Sequence, residues 1–208
     1  MYICSMKLLL IDNHDSFVCN ILGLLESCRV ARDCVDVARP EEAVSLPSHP
    51  YAGVILSPGP GLPSELPGLM RIVEEYAVRV PMLGICLGHQ AIAQHFGARL
   101  EQRPYPSHGH GSHLCITDTT DPLLGALPPG STVGRYHSWQ VEAASMAGTL
   151  LRLTSVASDD GAVMSLRHAR LPVYGVQFHP ESIITTCGCH IMSRFIAICS
   201  SGKSLPKA

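Results

Sequence analysis

A cysteine marks an abrupt change of pattern in the middle of the chain. An apolar run ends at Cys86, a helical pattern follows it, and Gly84 and Gly88 stand two positions away on either side. Small neighbours at these positions allow a strand-to-helix turn so tight that the side chain at its corner projects from the fold. The helix dipole then favours the thiolate of Cys86, and the free N–H of Leu87 can donate to an oxyanion. The pattern predicts a nucleophile, although cysteine is also among the most buried core residues.

A histidine at the end of another predicted strand is the candidate partner of this thiol. His179 follows the apolar run 172–178, and Glu181 stands two residues later, after Pro180. The proline fixes its own φ and favours an extended His179, so the imidazole and the carboxylate can lie on one side of the chain. A nucleophilic thiol needs a base, and the base needs a group that orients it. Because the chain has eleven histidines, an ordinary surface histidine is the alternative.

A third segment, Ser-Pro-Gly-Pro-Gly at residues 57–61, also ends an apolar run. Its glycines let the backbone approach a ligand closely, and the N–H of Gly59 is a candidate oxyanion donor beside that of Leu87. The same pattern is also typical of a simple tight turn. Its role in a site therefore depends on the fold placing it next to Cys86.

Apolar runs alternate with helical patterns through the first half of the chain, and short β-like segments follow. The predicted strands are residues 7–11, 34–37, 51–56, 80–85, 98–101, 113–117, 131–136, 150–155, 162–167 and 172–178. The predicted helices are one capped by Asp15 or Ser16 and those at residues 66–78, 87–96 and 189–199. This alternation indicates an α/β fold with a mainly parallel sheet and smaller β pieces in the C-terminal half. In such sheets ligands bind beyond the carboxyl ends of the strands.

The composition is that of one globular domain. Hydrophobic residues make up 46% and charged residues 15% of the 208 positions, and the formal net charge is -2. We expect a single domain over residues 1–208, with its core at about 7–198, no membrane-spanning segment and no nucleic-acid or membrane partner. The nine cysteines are scattered and no secretory signal opens the chain, so we expect reduced thiols in the cytoplasm. Translation could start at Met1 or at Met6.

Five segments together carry a family resemblance. Gly-Ile-Cys-Leu-Gly-His-Gln at 84–90 and His-Pro-Glu-Ser at 179–182 resemble the motifs of the class I (triad) glutamine amidotransferases. Three further segments narrow the resemblance to one group within that family: Asp-Asn-His-Asp-Ser-Phe at 12–17, the segment 57–61 and Arg-Tyr-His-Ser at 135–138. These segments resemble those of the glutaminase component (component II) of anthranilate synthase and of aminodeoxychorismate (para-aminobenzoate) synthase.

The resemblance implies a fold, a reaction and a site. The fold is a three-layer α/β sandwich, and the reaction hydrolyses L-glutamine to glutamate and ammonia, which passes to a chorismate-binding synthase subunit (component I). By the resemblance Cys86 is the nucleophile, His179 the base and acid, and Glu181 the orienting carboxylate. The implied glutamine-binding residues are Gly59, Pro60, Gly61, Gln90, Ser138 and Trp139. No cofactor or metal is expected in this chain, and Mg²⁺ is expected only in the partner synthase subunit.

Two positions depart from the family pattern. Trp139 stands where relatives usually have leucine, a change that a backbone role would survive, and His110 stands where they usually have lysine. The three histidines within 108–113 and the Cys-Gly-Cys-His segment at 187–190 raise metal binding as an alternative. For the histidine segment, the adjacent glycines instead predict a flexible loop, and no acidic or cysteine ligand stands beside it. For the segment 187–190, the interpretation is the start of a helix with buried thiols.

The sequence is compatible with more than one function. The expected partner system is anthranilate synthase of tryptophan biosynthesis, and the alternative is the equivalent subunit of folate biosynthesis. A stand-alone γ-glutamyl cysteine hydrolase and a scaffolding subunit without catalysis are also compatible with these motifs. The small subunit of carbamoyl phosphate synthase, which has a similar elbow, would need an additional N-terminal domain.

Overall fold

The computed structural model describes residues 6–43, 46 and 51–201, and a nine-stranded sheet is the centre of this part of the chain. The predicted N-terminal features at residues 1–5 lie outside the described residues. The strands are β1 Lys7–Ile11, β2 Val35–Ala38, β3 Tyr51–Leu56, β4 Met82–Ile85, β5 Leu100–Gln102, β6 His110–Ile116, β7 Thr132–Arg135, β8 Trp139–Val141, β9 Leu151–Ala157, β10 Val163–His168 and β11 Val173–Val176. The helices are α1 Val18–Ser27, α2 Pro40–Ala43, α3 Pro67–Tyr76, α4 Leu87–His95 and α5 Gly188–Ser200.

The large sheet has a parallel half and an antiparallel half. The strand order is β2-β1-β3-β4-β11-β10-β9-β6-β7. Strands β2, β1, β3, β4 and β11 pair in parallel, whereas β10, β9, β6 and β7 continue the sheet in antiparallel pairs. Strands β5 and β8 form a separate two-stranded sheet. The predicted α/β fold class with a mainly parallel core and smaller β pieces is confirmed.

Helices cover both faces of the parallel half, as the side chains of β1 illustrate. Leu8 and Leu10 are fully buried in one apolar cluster with residues of α1 and α5. Leu9 and Ile11 are fully buried in a second cluster with residues of α3 and α4. Successive side chains of a strand point to opposite faces of the sheet, so a continuous apolar run suits a strand covered on both sides. The arrangement has three layers, helices, sheet and helices.

The structure differs locally from the sequence prediction. Phe17, not Asp15 or Ser16, is the N-cap residue of α1, because the carboxylate of Asp15 accepts a hydrogen bond from the Phe17 N–H (2.6 Å) in a turn before the helix. Strand β6 begins at His110, where a flexible loop was expected, because its first residues pair with β7. The short strand β8 was not predicted, since its pairing partner β5 is distant in sequence.

Two findings bear on the broad class of the protein. Among the helices that the structure describes, none combines the length and the apolar character needed to span a bilayer. Within the same residues, no three His, Cys, Asp or Glu side chains come together as a possible metal site. The segment 187–190 forms the start of α5, as predicted, but only one of its two thiols is buried. Burial raises the pKa of Cys187 to about 11, whereas Cys189 is exposed.

Candidate active site

Cys86 occupies the sharp corner between β4 and α4. Its φ of 50° and ψ of -99° lie outside the regions that residues with a side chain normally adopt, which costs about 1–3 kcal/mol. The corner is held at both ends, since the Cys86 N–H donates to the Val176 carbonyl (2.8 Å) and the Cys86 carbonyl accepts from the Gln90 N–H (3.0 Å). The first-turn amides of α4, beginning with Leu87, have no intrahelical acceptor and remain available to a ligand.

The two glycines beside the corner are required by backbone packing. A Cβ on Gly84 would lie 2.4 Å from the carbonyl of Gly88, and a Cβ on Gly88 would lie 2.6 Å from the carbonyl of Leu56. Main-chain atoms at these distances cannot move away without displacing α4 from the sheet. The Gly-x-Cys-x-Gly spacing therefore brings α4 close to β3 and β4, and this contact positions the cysteine.

We expect Gly84→Ala to lower the free energy of unfolding by about 3 kcal/mol, because the added methyl group collides with backbone. Gly23→Ala is the matched control: Gly23 lies in α1, and a Cβ there meets no atom within 4 Å. That substitution should raise stability by about 0.5–1 kcal/mol, since alanine favours a helix and restricts the unfolded chain. Urea denaturation of both variants measures the difference, and equal stabilities would contradict this account of the corner.

A cavity of about 290 Å³ opens beside the thiol. It is lined by Cys86 and Leu87, by the three loop residues Gly59, Pro60 and Gly61, by Gln90, and by Tyr136, His137, Ser138 and Trp139. All six residues to which the family resemblance gives a role in glutamine binding line this cavity. Its size is near the lower end for small-molecule sites, which suits a ligand as small as an amino acid.

The loop 57–61 reaches the cavity because β1 and β3 end side by side. The Asn13 N–H donates to the Ser57 hydroxyl (2.9 Å), and the Asn13 side chain donates to the Ser57 carbonyl (2.8 Å). A Cβ on Gly59 would lie 2.6 Å from the Asn13 carbonyl and 2.7 Å from the Leu87 side chain. Only glycine fits this close approach, and it places the Gly59 backbone next to the start of α4.

His179 and Glu181 form a buried pair behind Cys86. The His179 Nδ1 and the Glu181 Oε1 are 2.7 Å apart, and the two side chains are only 3% and 0% exposed. The Nε2 atom of His179 is buried and makes no hydrogen bond of standard geometry, so it is available for proton transfer. Burial alone would lower the pKa of the imidazole, but its interactions with Cys86 and Glu181 outweigh burial and raise the pKa to about 10. The arrangement favours a protonated imidazole beside Cys86.

Strand β7 and the segment before α5 hold His179, although it lies beyond the end of β11. Its N–H donates to the Gly134 carbonyl (3.0 Å), and its carbonyl accepts from the Thr185 hydroxyl (2.6 Å). The rings of Phe17 and Tyr136 lie 5.4 and 4.9 Å from the imidazole centroid, at angles near the edge-on geometry that aromatic pairs prefer. The histidine is therefore fixed by backbone pairing on one side and by ring packing on the other.

A buried arginine anchors the loop that carries Tyr136 to Trp139. Arg135 is fully buried, and its guanidinium donates to the carboxylate of Asp160 (3.0 Å) and to the ring of His137 (3.2 Å). Burial opposes ionisation of Asp160, but hydrogen bonds from Arg135, Ala162 and Arg103 outweigh it and lower the pKa of that carboxyl to about 2. A buried charge without a partner is very unfavourable, so this pairing fixes the position of the loop.

The structure thus brings the three predicted segments to one edge of the sheet. Residues that the sequence analysis did not assign also reach this site: Arg135, Tyr136, His137 and Gln177. Gln177 stands two residues before His179, and that spacing could have indicated it, because alternate residues of an extended chain share a side. The sequence shows that Arg135 belongs to a motif, but it does not show the role of Arg135, since its acidic partner Asp160 is distant in sequence.

Comparisons with known proteins agree with this geometry. The family model GATase, glutamine amidotransferase class-I, matches residues 9–199 of this chain. A putative anthranilate synthase component II from Haemophilus influenzae is 36% identical over 193 residues, which are 93% of this chain and 97% of that protein. An aminodeoxychorismate synthase from Streptomyces griseus is 39% identical over 198 residues, 91% of this chain and 26% of that longer protein. Among solved structures, a putative GMP synthase subunit from Thermoplasma acidophilum matches with a TM-score of 0.78 and 25% identity, over 94% of this chain and 95% of the other.

Proposed function

This chain belongs to the class-I glutamine amidotransferase family, and from that premise we propose that it is the glutaminase subunit of a chorismate-using synthase. Relatives of both kinds, an anthranilate synthase component II and an aminodeoxychorismate synthase, match more than nine tenths of the chain. The observation that carries the proposal is the position of Cys86 in a cavity of about 290 Å³, with the buried pair of His179 and Glu181 beside it. This combination provides a nucleophile, an acid and base, and room for an amino acid.

The proposed reaction begins with attack of the Cys86 thiolate on the side-chain amide carbon of glutamine. Backbone N–H groups of Gly59 and Leu87 stabilise the oxyanion, and His179 protonates the leaving nitrogen, so that ammonia departs. A γ-glutamyl thioester then remains on the sulfur. Water, deprotonated by His179, attacks this thioester and releases glutamate and the free thiol.

Glutamine binding is assigned to the walls of the cavity. Gly59, Pro60 and Gly61 line one part, while Gln90, Ser138 and Trp139 line another. The Trp139 carbonyl accepts hydrogen bonds from the Gln90 amide (2.8 Å) and from the His137 ring (2.9 Å), so the backbone there is fixed before a ligand arrives. Because a backbone group does this work, tryptophan in place of the family's usual leucine is compatible with binding of the amino-acid end.

We assign the acceptor of ammonia to a partner, the chorismate-binding synthase subunit (component I). Ammonia released into water becomes ammonium and is no longer a nucleophile, so transfer between two coupled sites is the expected arrangement. The proposal requires no cofactor or metal in this chain and leaves Mg²⁺ to the partner subunit. It also places the protein in the cytoplasm, where thiols stay reduced; all eight cysteines among the described residues are free.

The test is whether the chain's glutaminase activity depends on the partner. We expect slow release of glutamate from glutamine by the isolated chain, and acceleration of about tenfold or more when chorismate and the cognate synthase subunit are added. Identifying the product as anthranilate supports the tryptophan pathway, and aminodeoxychorismate supports the folate pathway. Full activity without any partner would instead indicate a stand-alone γ-glutamyl hydrolase.

A scaffolding role is tested separately. A diazo-ketone analogue of glutamine alkylates a reactive thiol within a glutamine site, and intact mass spectrometry detects the adduct. We expect one equivalent of label on Cys86. Failure of this thiol to react with the analogue would favour a subunit without catalysis.

A further inference from the structure

A buried glutamine that the mechanism above does not use contacts the nucleophile. Gln177 is the first residue after β11 and is fully buried. Its side-chain amide donates a hydrogen bond from Nε2 to the Cys86 sulfur at 3.5 Å. A hydrogen bond to a charged acceptor is roughly twice as strong as one between neutral groups, so this contact favours the thiolate over the thiol.

The orientation of this amide is fixed by its other end. The Gln177 Oε1 accepts a hydrogen bond from the Gln90 Nε2 (3.1 Å), and the same Gln90 nitrogen donates to the Trp139 carbonyl (2.8 Å). A rotated Gln177 amide would place its NH₂ against the NH₂ of Gln90. The N–H of Gln177 therefore has to face the sulfur.

The hydrogen bonds continue from Trp139 to a permanent charge. The Trp139 carbonyl also interacts with the His137 Nδ1 (2.9 Å), and the His137 Nε2 accepts from the Arg135 Nε (3.2 Å). A guanidinium can only donate, so Nε2 of His137 carries no proton and Nδ1 is the donor to Trp139. One hydrogen-bond chain thus connects Arg135, His137, the Trp139 carbonyl, Gln90, Gln177 and the sulfur, and each link has one possible direction.

We propose that Gln177 is a further catalytic residue, whose amide N–H holds and stabilises the Cys86 thiolate while the hydrogen-bond chain from Arg135 keeps that amide in place. The inference rests on the proposed function, since a thiolate matters only if Cys86 is the nucleophile. The hydrogen-bond chain also connects the wall of the glutamine cavity to the sulfur. The loop at Ser138 and Trp139 and the nucleophile are therefore positioned together.

Few titratable groups near the sulfur can change charge over the pH range in which Cys86 reactivity is measured. His179 and, behind it, Glu181 are the groups expected to influence its titration. His137 on the cavity wall and His89 in α4 are held neutral: burial is the largest cause, and it lowers the pKa of His137 to about 3 and that of His89 to about 4. Neither histidine changes charge between about pH 6 and about pH 10.

The test is the pH dependence of Cys86 alkylation by iodoacetamide, in which the sulfur bonds to carbon and iodide leaves. Peptide mass spectrometry separates Cys86 from the other cysteines. For Gln177→Met, which matches the shape without a donor, we expect the midpoint of the profile to rise by about one pH unit, and the rate at pH values below the wild-type midpoint to fall about tenfold. A fall of similar size is expected in kcat for glutamine hydrolysis.

A second variant separates a bond to sulfur from a purely structural role. Gln177→Glu keeps an oxygen to accept from Gln90 but replaces the donor with a carboxylate, which repels the thiolate. We expect it to react more slowly than Gln177→Met, by a further factor of about ten. If Gln177 only supported Gln90, Gln177→Glu, which keeps the acceptor, would react at least as fast as Gln177→Met, and that result overturns the proposal. If Gln177→Met does not fold, a Gln177→Glu profile with the midpoint of the wild type overturns it.

Gln94→Met is the matched control. Gln94 lies one turn after Gln90 on α4, and its Oε1 is buried without a hydrogen-bond partner in the described part of the chain. Its alkylation profile should equal that of the wild type. Labelling of wild-type Cys86 by the glutamine analogue is measured in parallel: if it fails, the proposed function fails, whereas successful labelling with unchanged profiles in both Gln177 variants refutes only the role of Gln177.

Discussion

Replacing Cys86 with serine is expected to abolish glutamine-dependent synthesis, with a loss of about 10⁴-fold or more, while the partner subunit keeps its activity with added ammonium salt. Serine has nearly the same size and leaves the cavity intact. Its hydroxyl is far less acidic than a thiol, so an adjacent imidazolium and a helix N-terminus do not produce an alkoxide. The measurement is product formation by the assembled complex, once with glutamine and once with ammonium chloride as the nitrogen source.

The comparison of the two nitrogen sources distinguishes chemistry from folding. Loss of both activities would indicate that the subunit no longer assembles, and retained glutamine use would contradict the role assigned to Cys86. Cys115→Ser is the matched control, because Cys115 is an exposed free thiol on β6, away from the cavity lining. We expect that variant to behave as the wild type with either nitrogen source.

The nucleophile corner and the fold class could be predicted because the constraints on them are local. Gly84 and Gly88 stand within two residues of Cys86, and the backbone that excludes a Cβ on Gly84 is that of Gly88 itself. The run 7–11 is apolar throughout because both faces of β1 are covered. Patterns of this kind are visible in the sequence without knowledge of any distant contact.

The remainder of the site depends on contacts that no local pattern reveals. Arg135 is buried because Asp160, 25 residues away, meets it from the turn between β9 and β10. The turn between β9 and β10 also places Asp159 3.4 Å from His110, at the start of β6. No acidic residue stands beside this histidine in the sequence, because the pairing that brings Asp159 there is set by the order of the antiparallel strands.

The position of Gln177 shows how such contacts extend the site. The motif that ends in His179 and Glu181 was recognised for its titratable groups, and the neutral amide was given no role. In the structure that amide contacts the sulfur directly, at 3.5 Å. Neutral groups in a motif are therefore identified by their contacts in the fold, whereas acids, bases and nucleophiles are already indicated by residue type.

Loss of His179 is expected to reduce glutamine hydrolysis much more than neutralisation of Glu181. In His179→Asn no group can protonate the leaving nitrogen or activate water, and kcat should fall about 10³-fold or more. In Glu181→Gln the side-chain carbonyl can still accept from Nδ1, and the new NH₂ takes the place of Oε2, which has no hydrogen-bond partner among the described residues. We expect a loss of about 10-fold to 100-fold, because the imidazole stays in position and only its charge partner is lost.

The pH profile of kcat/KM tests whether Glu181 acts through His179. The carboxylate of Glu181 is among the groups that raise the pKa of His179 to about 10 against the opposing effect of burial. Removing that charge lowers the pKa of the imidazolium, so the basic limb of the profile should move to lower pH in Glu181→Gln, while a variant that merely destabilised the fold would keep the limb in place. Equal losses in the two variants, or an unmoved basic limb, would mean that Glu181 itself takes part in proton transfer or only supports the fold, and the division of labour between an acid–base imidazole and an orienting carboxylate would have to be abandoned.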